Sequence, residues 1–161
     1  MKKIITLLFC FLAFSTIQSQ SIKKIETILS KAKNDKKDIL TLINKLARSG
    51  GFNDAQNIAD KSLSLFYELK KAKLIAKSYR NNLKKGDEKI SKVNKLISSI
   101  TNAESKMSNV NKWVNEFIEG KRSEKERNYN KIKLNYNSFI KYLGEANNSI
   151  RKINLHGTPF G

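Results

Sequence analysis

Acid–base, nucleophilic and metal chemistry draws on His, Cys, Asp and Glu brought together at defined spacing. This 161-residue sequence holds one His and one Cys. His156 lies near the C-terminus with no Ser or Cys nucleophile arranged beside it, and reads as a solvated tail residue. A lone Cys10 excludes a disulfide scaffold and a Cys-based metal cluster. There is no Gly-rich phosphate loop, nucleophile elbow or metal-spaced His/Cys/Asp/Glu set. Asp35 falls where an apolar residue is expected, but its neighbours Asn34 to Asp38 are polar, so it is read as solvent-facing. Asn147-Asn148-Ser149 matches a glycosylation sequon, which matters only in a eukaryotic secretory pathway. The expectation is a non-enzymatic protein with no cofactor, no metal site and no catalytic residues.

What the sequence offers instead is charge. It has 32 Lys and Arg against 14 Asp and Glu, a formal charge of +18. The densest stretch holds Lys70, Lys71, Lys73, Lys77, Arg80, Lys84, Lys85, Lys89, Lys92 and Lys95, against Asp87 and Glu88. These ten are the candidate residues for binding a polyanion or an acidic partner. Lys, which dominates over Arg, is a flexible point charge without the bidentate guanidinium fork. That favours diffuse attraction over base-specific readout. No basic run is interleaved with aromatics in the manner of a single-strand stacking groove.

Two further features place these charges. The first is an address. Lys2 and Lys3 precede an apolar run from Ile4 to Phe14, interrupted only by Thr6, and Ser15 to Ser21 is mostly small and polar. This is the pattern of a secretory signal peptide over residues 1–19, cleaved after Ser19 or, as second choice, after Ser15. The apolar run is shorter than the ~20 residues needed to span a bilayer. An uncleaved N-terminal anchor and lipidation at Cys10 are the competing readings. Phe9 before Cys10 and the apolar residues after it disfavour lipidation. The predicted location is periplasmic or extracellular, with +16 on residues 20–161.

The second feature is an apolar period of alternating three and four residues. The seams read Ile25, Ile28, Ala32, Asp35, Ile39, Leu42, Leu46; then Ala55, Ile58, Ser62, Leu65, Leu69, Ala72, Ala76, Tyr79, Leu83. They continue with Val93, Leu96, Ile100, Ala103, Met107, Val110, Val114, Phe117, and end with Tyr129, Ile132, Tyr136, Phe139, Leu143, Ala146, Ile150, Ile153. Extra apolar residues beside the seams, among them Leu29, Ile43, Ala59 and Leu63, widen the stripe beyond what a two-stranded coil needs. The predicted fold is therefore all-α: an up-down-up-down four-helix bundle over residues 20–155, with coiled-coil-like packing. Its helices are expected at about 22–48, 54–85, 87–119 and 123–154, followed by a frayed tail at 156–161. Tyr129, Tyr136 and Trp113 are read as core, with an aromatic groove as the alternative.

The breaks have local causes. Ser49-Gly50-Gly51 suits a C-terminal cap, and Asn53 with Gln56 has capping-box spacing. Lys84-Lys85-Gly86-Asp87-Glu88 gives each helix end the charge its dipole prefers. Gly120 and a Ser123…Glu126 box mark the third break. The Gly86 break competes with a continuous second and third helix, which would give an elongated hairpin or rod. Leu42, Leu46, Gly51-Phe52-Asn53-Asp54-Ala55 and Ala59 resemble the inter-helix turn of a tetratricopeptide-type hairpin. The resemblance spans these residues alone, does not recur, and implies a helical hairpin.

In the bundle topology, the start of helix 1, the Gly86 turn and the end of helix 4 share one pole. That pole sums to +13, against +3 at the other. The function expected is an exported, envelope-associated binding or adaptor protein whose basic pole meets a polyanionic surface or an acidic partner. Two alternatives stay open: a structural subunit of an exported assembly, such as a secretion or conjugation apparatus, with homo-oligomeric pairing of the heptads, and a nucleic-acid-binding protein.

Overall fold

The computed structural model describes residues 2–155, with side chains described for 19–154. Four long helices follow one another: α1 (Lys2–Ser49), α2 (Phe52–Asn81), α3 (Lys89–Glu119) and α4 (Lys125–Leu155). A short 3-10 turn, Arg122–Glu124, precedes α4. The helices pack against each other as an all-α four-helix bundle, each on its successor, and α1 closes the ring against α4 through the smallest of the four contacts.

Cross-helix pairs give the direction of each neighbour. Lys31 meets Glu68 and Lys61 meets Asp38, so α1 and α2 run antiparallel. Arg80 with Asn94, and Asn111 with Ser62, do the same for α2 and α3. Asn109 with Asn135 and Asn128 with the Glu116 carbonyl set α3 against α4. Tyr136 with the Lys36 carbonyl and Asn154 with Glu26 return α4 to α1. The topology is up-down-up-down.

The predicted seams form the core. All eight seam residues of α3, Val93 through Phe117, are buried, as are Ile132 through Ile153 on α4. Ser62, the polar break in the α2 seam, is fully buried with its hydroxyl on the Ala59 carbonyl at 2.9 Å. Asp35 is half-buried. Leu63 departs from expectation. It lies on the outer face of α2 and is exposed.

Several boundaries shift. α1 begins at Lys2 and not near residue 22, because nothing from Lys2 to Ser49 breaks a helix. Among the described side chains, its first in the core is Ile22. The side chains of residues 1–18, Cys10 included, and the tail 156–161 with His156, lie outside the described residues. No helix of the described residues is long and apolar enough to cross a membrane.

α2 ends at Asn81 and not at Lys85, since Asn81 and Asn82 are weak helix formers. The chain then turns through Gly86 at φ +92°, a conformation only Gly adopts readily, so α2 and α3 are separate helices. The Asn53/Gln56 box does not form. Gly51 is the N-cap of α2, with no side-chain cap, and Gln56 instead donates to Asp60 at 3.2 Å. Nor does the Ser123/Glu126 box form: the Glu124 carboxylate accepts the Lys121 N–H at 3.4 Å. The sequon residue Asn147 sits within α4, its amide nitrogen donating to the Leu143 carbonyl at 2.8 Å.

Candidate functional site

The basic end of the bundle is built on the α2–α3 connection. Tyr79 and Leu83 pack beneath it, and the chain tightens through Leu83 N–H to Arg80 O at 3.1 Å and Asp87 N–H to Lys84 O at 3.0 Å. The Asp87 carboxylate then caps α3 by accepting the Lys89 N–H at 2.8 Å. Burial, with the nearby Asp87 charge, pushes the Tyr79 hydroxyl pKa up. The turn is thus anchored from below, and its lysines are displayed on a fixed frame.

The ten candidate residues do not share one surface. Lys84 and Lys85 are exposed on the turn, with Lys89 half-buried beside them. Lys92 is half-buried and Lys95 exposed on α3. Lys70 and Lys77 are exposed on α2, and Arg80 donates its Nε to Asn94 Oδ1 at 2.7 Å. Lys71 turns toward α1. Lys73 leaves the set: it lies between α2 and α3 in an ion pair with Glu104, which is only 7% exposed.

Pairing α1 with α2 adds two residues that the ten did not include. Lys23 and Lys24 meet Lys71 across an open groove of about 620 Å³. Its floor is Ile28 and Ile75, and the hydroxyls of Ser21, Thr27 and Ser78 also line it. Among the described residues, no carboxylate lines this groove. Its two walls are about fifty residues apart in sequence, so no local run of residues signals it. The counted charge of the α1 start was the only hint.

The helix pairing also corrects the charge division. A level through Lys36, Leu65, Asn109 and Asn135 halves the bundle. Over residues 20–161, with Lys36 counted in the far half, the half nearer Gly86 has eighteen Lys and Arg against seven Asp and Glu, or +11. The other half has twelve against seven, or +5. The expected +13 and +3 move because Asp35 and Glu68 fall on the Gly86 side.

The other end uses its cations differently. Lys112 and Lys131 lie over the Trp113 ring, 5.4 and 5.7 Å from its centroid, and Lys125 lies 5.1 Å from that of Phe117. Trp113 and Tyr129 are half-buried and pack against the core. Tyr136 is buried, and its hydroxyl donates to the Lys36 carbonyl. Burial pushes its pKa up to about 12, partly offset by the Leu40 backbone N–H. Among the described residues, no three His, Cys, Asp or Glu are grouped to hold a metal ion.

Compared with known proteins, the chain matches no family model, no curated protein and no solved structure. Its functional reading therefore rests on the bundle's own surface.

Proposed function

We propose that this chain is an exported, non-enzymatic binding or adaptor protein of the cell envelope, which meets polyanionic surfaces or an acidic partner through the Gly86 end. One observation carries the reading: the groove between α1 and α2 presents Lys23, Lys24 and Lys71 with no carboxylate among the described residues that line it, in the half of the bundle that holds +11. A polyanion that displaces counterions from such a surface binds with strong salt dependence.

The test is binding to vesicles rich in phosphatidylglycerol, and to heparin, across a salt series. Binding is expected to fall steeply from low to moderate salt. It is also expected to weaken about tenfold when Lys84, Lys85 and Lys89 are changed to Gln, and similarly for Lys23, Lys24 and Lys71. Unchanged binding in both triple variants would sink the proposal. Preference for nucleic acid over heparin at matched charge would turn the reading toward nucleic acid. A second reading, a structural subunit of an exported assembly, is favoured by the exposed outer face of α2.

A further inference from the structure

The outer face of α2 carries a second heptad stripe, on the side away from the core. Its positions are Gln56, Asp60, Leu63, Tyr67, Lys70, Leu74, Lys77 and Asn81, and all eight are exposed. Three are large apolar side chains: Leu63, Tyr67 and Leu74 are 42%, 58% and 58% exposed. The steps alternate four and three residues, the spacing that keeps a seam on one side of a helix. A bundle helix needs one such seam, and α2 has a separate buried one in Ala55 through Tyr79. The second stripe is therefore not explained by the fold of the single chain.

Its chemistry is ordered along its length. The alternating steps read the same from either end, so an antiparallel copy of α2 meets the stripe in register. Leu63 then faces the partner's Leu74. Tyr67 faces the partner's Lys70, a cation over an aromatic ring. Asp60 faces the partner's Lys77, and Gln56 faces the partner's Asn81. Each pair occurs twice, as a two-fold interface requires. A parallel copy would instead set Asp60 on the partner's Asp60 and Lys70 on the partner's Lys70. Like charges so placed oppose association.

We infer that the outer stripe of α2 is the interface of an antiparallel homodimer of this chain. The seam from Gln56 to Asn81 is ~38 Å long at 1.5 Å per residue. The arrangement sets each copy's basic half beside the less basic half of its partner. The two Gly86 ends then point in opposite directions, so one dimer presents a polyanion-binding end at each extremity. The dimer itself does not depend on the polyanion reading. A monomer would leave that reading standing, and a dimer indifferent to heparin would leave this one standing.

Analytical ultracentrifugation of the full chain tests the inference, with a chain beginning at Gln20 alongside to separate association through the apolar N-terminal segment. Both are expected to form a dimer. Asp60→Lys and Lys77→Asp each place like charges opposite one another twice, and each should weaken dimerisation at least about tenfold. Mixing the two variants restores both attractive contacts, so a one-to-one heterodimer should form. Both positions are exposed, and unchanged helical circular dichroism confirms that folding is intact. A wild-type chain that stays monomeric up to millimolar concentration would overturn the inference. So would a dimer indifferent to either substitution, or a mixture that fails to reassociate. A monomer that binds vesicles through Leu63 and Leu74, losing that binding on their change to Asn, would also overturn it.

Discussion

The two ends of the bundle hold similar numbers of acidic groups but use their cations differently. At the far end, where α1 meets α2 and α3 meets α4, Lys112, Lys125 and Lys131 rest on aromatic rings and Arg127 lies 3.5 Å from Glu124. Of these, Lys125 and Lys131 reach from α4 to rings on α3 and help to hold the two helices together. At the Gly86 end, Lys23, Lys24 and Lys71 surround a groove that no carboxylate of the described residues lines. Mutual repulsion in that groove weakens the fold there by a small amount, and it is the property that would attract an anion. Total charge therefore does not show where this chain keeps cations open to a ligand. What matters is which cations the fold has already used.

Lys73 is a cation of the Gly86 half that is already engaged, like those of the far end. Its pair with Glu104 is nearly closed off from solvent. Removing one partner of a buried pair leaves the other desolvated, and Glu104→Ala should cost about 3 kcal/mol. Replacing both partners, with Met at 73 and Leu at 104, should recover most of that loss. Thermal and urea unfolding measure both. If Lys73→Gln weakened heparin binding as much as the loss of Lys71, Lys73 would belong to the surface after all.

The two turns also differ in why they need glycine. At Gly120 the backbone angle is ordinary, but an added Cβ would lie 2.5 Å from the Glu116 carbonyl oxygen. At Gly86 nothing lies within 4 Å, and φ of +92° is the constraint. Gly120→Ala should therefore shift the α3–α4 connection and cost about 2 kcal/mol. Gly86→Ala should cost about 1 kcal/mol through backbone strain alone. Equal losses in equilibrium unfolding would show that the two turns are constrained alike.

Tyr136 sits at mid-height, where neither end dominates. Its hydroxyl pKa is raised in the folded state to about 12 from about 10. A folded pKa above the unfolded one means that the neutral phenol stabilises the fold below pH ~10, and that this stability is lost as pH rises toward ~12. Tyr79, also raised, contributes in the same direction. Tyr136→Phe should cost about 1 kcal/mol at neutral pH and flatten the fall in Tm above pH ~10. A variant whose Tm fell as steeply as the wild type would assign the alkaline transition to other groups.

Much of the fold is legible in the sequence because it rests on period. Every seam residue of α3 is buried, and the Gly86 break follows from one residue type. What is not legible depends on partners from other helices. Glu104, Asn128 and Asn135 lie outside the apolar seams and are buried, because Lys73, the Glu116 carbonyl and Asn109 meet them across an interface. Leu63 reads as core and is exposed, because it belongs to the other stripe of α2. Position along the chain is what marks the nine candidate lysines and Arg80, and position alone does not separate Lys73 from Lys71. Nor could it bring Lys23 and Lys24 to the same groove.

The smallest effect is also the one that isolates the far end. Lys131 lies over Trp113 on a neighbouring helix, with Lys112 over the same ring. Changing Lys131 to Gln removes one cation from the ring and leaves the other. The expected cost is about 0.5 kcal/mol, within the range for a solvent-exposed cation–π contact. Trp113 fluorescence reports the change locally, and urea unfolding reports its cost. The same substitution removes one positive charge, so a charge-counting view would have it weaken heparin binding as much as a single groove lysine does. On the view argued for the two ends, it lowers stability slightly and leaves heparin binding near its original value, while Lys71→Gln does the reverse. Equal losses of heparin affinity at positions 71 and 131 would erase the distinction between the ends.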